Sequence, residues 1–259
     1  MFSFFKNRRR QKLLAQPLPD EWRQIIERNV AVYELLPEAQ QQRLADAARI
    51  IVAERPFVGC QGLAITDEIK VTIAAQAALL LLGEDDYYFD RVLTIFVHPH
   101  EQSAKSVTGL DAYHARLVVE DVPIEGQHLE QGEIRLLWDD VLYGGRDPAD
   151  GENVVLHEFA HHLDRLDGDV GGTPPLPTTE QREQWIRIFD RELAQLRRDL
   201  AAGREIFLHD AAAENRAELF AYGTECFFEQ PHDLYELHPE LFDCLLGFYK
   251  VDPRPWFES

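Results

Sequence analysis

Apolar residues recur at helical spacing from Glu21 to Gly83, in three runs: Trp22 to Ile26, Leu44 to Ala53, and Thr66 to Leu82. Thr66 suits an N-cap, with Asp67 and Glu68 favourable in the first turn. The longest apolar stretch, Ile73 to Leu82, is half a membrane span and reads as a buried core helix. Between Val92 and Leu142 the period shortens. Leu93 to Val97, Ala115 to Val119 and Ile134 to Trp138 are short, branched and apolar, and predict strands of a small, mixed sheet. Helical spacing returns over Gly151 to Leu166, Glu180 to Leu200 and Glu214 to Glu229; the second of these buries Trp185, Ile188, Phe189, Leu193 and Leu196 on one face. The pattern predicts a helix-dominated α+β fold. Pro17-Leu18-Pro19 sets off residues 1–19, a basic tail expected to be disordered, from one domain over 20–259. That domain is expected to be helical over 20–90, sheet-containing over 91–147 and helical over 148–259.

Charge narrows the partners. Lys and Arg number 26 against 46 Asp and Glu, a net charge of −20, which repels phosphate backbones and anionic lipid. Direct nucleic-acid binding and a transmembrane segment are not expected. The opening residues place their charge after a very short apolar stretch, the reverse of a secretory signal. Three scattered cysteines, Cys60, Cys226 and Cys244, argue for a reducing, cytoplasmic setting and no disulfide framework.

The chemistry concentrates in His157-Glu158-Phe159-Ala160-His161. Four residues make slightly more than one helical turn, so both imidazoles share a face, while Glu158 is rotated by about 100° and can reach a water without ligating the metal. This H-E-x-x-H layout suits a zinc ion that activates water. Asn153-Val154-Val155-Leu156 leads apolar into the motif, and Gly168 and Gly171 to Pro175 close the segment as loop.

A catalytic zinc takes three protein ligands. Asp167 stands at the metzincin distance, but Asp164 replaces the glycine that turn needs and the only methionine is Met1. Glu180 and Glu183 lie at a thermolysin-like distance, yet read as a charged first turn. Glu218 and Glu225, seven apart and embedded among Ala, Leu, Phe and Cys, share one helix face. Burying a carboxylate there is costly unless it is paired or metal-bound, so one is expected on the metal and one behind it; spacing alone leaves open which. His98 and His100 share a strand face and read as ordinary edge histidines, and His162 points away from His161.

Arg55 to Cys60, Val71 to Ala77, Val154 to Asp164, Ala217 to Ala221 and Glu225 to Phe228 together resemble the Mlc titration factor A (DgsA anti-repressor) family of bacterial zinc peptidases, over about Leu13 to Pro253. The resemblance implies a zincin-like fold of gluzincin type, one Zn2+ on His157, His161 and Glu218, Glu158 as base, and aminopeptidase activity on peptides. It also implies, as the alternative, a protein partner, a sugar-responsive transcriptional repressor, which a weakly active scaffold would sequester. The chain departs from the family at Ala211, where a tyrosine commonly serves the oxyanion; Tyr222 or His209 could substitute. Glu225 is then expected behind the ligands. From spacing, Asp164 stands seven residues after His157 on the same face, and is expected either to accept from an imidazole N–H or to be an ordinary C-terminal helix residue. The strand ending at Trp138 is expected to hold substrate as an added strand. The Gly168 to Thr179 loop is expected to serve as a lid or as a plain linker.

Overall fold

A computed structural model describes residues 2–84, 87–99, 132–168 and 171–258. Helices dominate: α1 (Phe2–Leu14), α2 (Asp20–Asn29), α3 (Glu38–Glu54), α4 (Asp67–Ala78), α5 (Trp138–Gly144), α6 (Val154–Asp164), α7 (Thr179–Ala201), α8 (Arg216–Glu229), α9 (Pro231–Leu237) and α10 (Pro239–Tyr249). The strands are β1 (Phe57–Gly59), β2 (Thr94–His98) and β3 (Glu133–Leu137). Side-chain caps set several boundaries. Thr66 accepts from Ile69 N–H to start α4, and Thr178 and Asn215 do the same for α7 and α8.

The sheet was expected to be mixed. Among the described residues its order is β1-β2-β3 and both pairings are parallel, with Phe57 opposite Ile95 and Ile95 opposite Ile134. Helix α4 lies between β1 and β2 in the chain and supplies the crossover connection that parallel partners need. Ile95, Val97, Ile134 and Leu136 line the buried face. The third expected strand, Ala115 to Val119, and His100 lie outside the described residues. Trp138 opens α5 rather than closing β3, because Asp139 and Asp140 suit a helix N-terminus.

The tail expected to be disordered is the helix α1, packed on α3. Arg10 explains it. Its guanidinium donates to Glu54 Oε1 (3.1 Å) and to Asp90 Oδ1 (2.6 Å), and lies 4.5 Å over the Tyr88 ring. A basic run looks solvated when its acidic partners stand far off in the chain.

One hydrophobic cluster runs from Ile25 to Trp256. Helix α6 sits within it, packed against α8, α4 and β3. Among the described residues no helix is long and apolar enough to cross a membrane.

Candidate metal centre

Helix α6 starts at Asn153, whose side chain accepts from Val155 and Leu156 N–H. Helix α8 runs antiparallel to it: the start of α6 bonds to Glu225 and Glu229, and the loop after α6 returns to Gly172, against Arg216 and Ala217. This arrangement brings His157, His161 and Glu218 together, with ligand atoms all within 4.8 Å of one another. All three are buried. His157 Nε2 stands 3.1 Å from His161 Nε2 and 3.5 Å from Glu218 Oε2, and His161 Nε2 stands 3.4 Å from Glu218 Oε1. A tetrahedral zinc with bonds of about 2.0–2.1 Å spaces its ligand atoms about 3.3–3.4 Å apart, so the donor set fits the ion in chemistry and in spacing.

Glu225, two turns along α8, faces the far side of His157, with Oε1 2.8 Å from Nδ1. Its Oε2 accepts the Asn153 N–H at 2.5 Å. A carboxylate on Nδ1 leaves Nε2 for a metal. Burial pulls the His157 imidazole down, but Glu218 and Glu225 outweigh it and hold it up at about 10. Burial also opposes the Glu218 charge, yet its bonds to His157 and His161 keep that carboxyl well below the usual range. His161 is held down by burial, against Glu218, with His157 adding to the depression. Glu158, on the neighbouring face, has a buried Oε1 with no hydrogen-bond partner. An unpartnered buried carboxylate oxygen beside three ligands is costly unless water or substrate meets it.

The wall around this cluster is aromatic. The Tyr222 ring packs edge-on to His157 (centroids 4.6 Å, 70°), and His209 stacks flat on Tyr222 (4.7 Å, 11°). Burial, with Glu225 and Glu218 adding, raises the Tyr222 phenol, so it stays a proton donor. His209 Nδ1 accepts the Ala211 N–H at 3.2 Å, which leaves Nε2 as the ring's other hydrogen-bonding atom. Ala211 lies in the single-turn helix Asp210–Ala213, packed against α8.

One expectation changes. Asp164 meets no imidazole through Oδ1, which is buried without a partner; its Oδ2 accepts the Gly172 N–H at 2.9 Å. It stands in the last turn of α6, where the returning chain presents a backbone amide. The Gly168 to Thr179 loop is therefore tied at Gly172, whose carbonyl also accepts from Trp185 Nε1 at 2.9 Å. Glu180 and Glu183 are exposed on α7, and Asp167 pairs with Arg182 at 3.1 Å. None of the three joins the cluster. Sequence reasoning passed over Asn153, although an Asn directly before an apolar helical run is a capping signal. It also passed over Glu229 and Tyr87, for which no local signal exists.

Residues 4–250 match the glucose-regulated metallo-peptidase M90 family. The chain belongs to that family. Among its relatives, Mlc titration factor A of Serratia proteamaculans is 34% identical over 227 residues, covering 84% of this chain and 82% of its own. Mlc titration factor A of Yersinia pestis is 28% identical over 258 residues, covering 95% and 88%. An uncharacterized protein of Synechocystis, slr2042, is 32% identical over 246 residues, covering 95% and 89%. With the His-His-Glu cluster in place, this M90 member is a metallopeptidase of gluzincin type.

Proposed function

We propose that the protein hydrolyses peptide bonds with one zinc ion, held by His157, His161 and Glu218, and that Glu158 is its general base. The observation that carries this is the unpartnered, buried Glu158 Oε1 beside a three-ligand cluster of zinc dimensions. Zinc supplies Lewis acidity, acidifying water and polarising a carbonyl. Glu158 takes the proton of the attacking water and delivers it to the leaving amine. Glu225 keeps the proton on His157 Nδ1, so that Nε2 faces the metal. The Tyr222 hydroxyl, raised and protonated, is the donor proposed for the developing oxyanion. Strand β3, at the sheet edge among the described residues and packed on α6, is proposed to align an extended substrate. Aminopeptidase specificity follows the family resemblance, and three free cysteines agree with a cytoplasmic setting.

A second reading has its own support. Ala211 offers a methyl group where the family resemblance implies a phenol, and two of the relatives above are called Mlc titration factor A. A weak enzyme that sequesters a transcriptional repressor fits both facts. One experiment separates the two. Zinc content and turnover of aminoacyl anilides, with free and blocked N-termini, are compared between wild type and Glu158→Gln. The peptidase reading expects about one zinc per chain in both proteins and a loss of kcat of about 100-fold or more in the variant. Equal turnover ends that reading, and equal capture of a repressor by both proteins favours the scaffold.

A further inference from the structure

Asn153 uses every hydrogen-bonding group it owns. Oδ1 accepts from Val155 and Leu156 N–H, each at 3.1 Å. Nδ2 donates to the Gly144 carbonyl at the end of α5 (2.9 Å) and to Glu229 Oε1 on α8 (3.0 Å). Its N–H donates to Glu225 Oε2 and its carbonyl accepts the His157 N–H at 3.0 Å. The residue is buried. The main chain of Asn153 therefore meets His157 twice, by the first backbone bond of α6 and by the Glu225 carboxylate that faces the imidazole, and the Asn153 amide holds that main chain in place against Gly144 and Glu229.

We propose that Asn153 is the positioning residue of the metal centre: it locks the start of α6 to α8, so that Glu225 holds His157 with Nε2 aimed at the ion. This rests on the metal-site reading above. A plain helix cap does not require asparagine, since Ser or Asp caps as well. Only an amide combines the cap acceptor with two donors. Asp at this position keeps the cap but sets oxygen against the Gly144 carbonyl and Glu229 Oε1 in place of the two N–H donors.

Asn153→Asp is the sharp test, measured as zinc affinity by competition with a chromophoric chelator on the full-length protein. Groups that orient metal ligands change affinity by roughly 10- to 100-fold when removed. We expect a weakening of about tenfold for Asn153→Asp, and partial recovery in Asn153→Asp/Glu229→Gln, where the new amide returns an N–H to the lost contact. Asn153→Ser, which keeps a cap oxygen and removes both donors, should weaken zinc binding similarly and serves if the aspartate variant does not fold. Melting of the zinc-free proteins is followed in parallel. A lowered melting temperature with zinc affinity within twofold of wild type overturns the inference and leaves Asn153 a structural cap. A wild type that binds no zinc overturns the functional reading first, and this inference with it.

Discussion

Helix α6 has two faces that treat the same residue type in opposite ways. His161 and His162 are neighbours, both 5% exposed. His161 turns toward α8 and stands among His157 and Glu218. His162 turns away from that cluster, and its Nε2 shares a 2.9 Å hydrogen bond with the Tyr87 hydroxyl. Beside it Phe159 packs edge-on against Phe89 at 4.5 Å. Burial, with Arg165, Arg91 and Arg55 adding, holds His162 down at about 4, so it is neutral. Depth therefore does not mark a ligand histidine; the partner does. The front face gathers carboxylates that a cation completes, whereas the back face is closed by a phenol and aromatic packing.

The front face breaks most readily at Gly172. Its φ of +68° lies in the left-handed region, and an added Cβ would sit 2.2 Å from the Arg216 carbonyl carbon and 2.4 Å from Ala217 N. Those atoms directly precede the ligand Glu218. Gly172→Ala should lower unfolding stability in urea by about 3 kcal/mol or more, since backbone strain and overpacking combine. Zinc affinity should fall with it, because the displaced segment carries Glu218. Wild-type stability in this variant would show that the loop does not brace the front face.

Sharpening the front face calls for the opposite change. Ala211 is half-buried beside α8, and on the family resemblance a phenol there would supply the oxyanion donor. Removing one oxyanion donor typically costs 100- to 1000-fold in kcat; restoring one on an unadapted wall should recover about tenfold. Ala211→Tyr is therefore expected to raise kcat on aminoacyl anilides with little change in KM. An unchanged kcat would mean that Tyr222 or His209 already does this work.

The front face was more legible in the sequence than the back, for a physical reason. His157 and His161 are set by helix geometry alone, and the seven-residue step puts Glu218 and Glu225 on one face. Periodicity names a face but not what it meets. Resemblance, not spacing, assigned Glu218 to the ligands, and in the fold Glu218 meets both Nε2 atoms while Glu225 meets Nδ1. The same step misled at Asp164, because a loop amide reached its Oδ2. Arg10 was misread as part of a solvated tail because Glu54 and Asp90 lie 44 and 80 positions away. Tyr87, 75 positions from His162, carries no sequence signal at all.

The smallest expected effect tests whether the two faces are independent. Tyr87→Phe keeps the ring beside Phe89 but removes the hydroxyl, leaving the buried His162 Nε2 without its partner. An unmade buried hydrogen bond costs about 1–3 kcal/mol, and a neutral imidazole with room to relax should fall near the lower end. Urea unfolding should register that loss, while zinc affinity and kcat stay within twofold of wild type. His162 shares its backbone with His161, so any shift of the helix that followed the lost bond would reach the ligand beside it. A fall in zinc affinity alongside stability would show that the phenol on the back face helps aim the ligands on the front, and that α6 acts as one rigid piece and not as two separable surfaces.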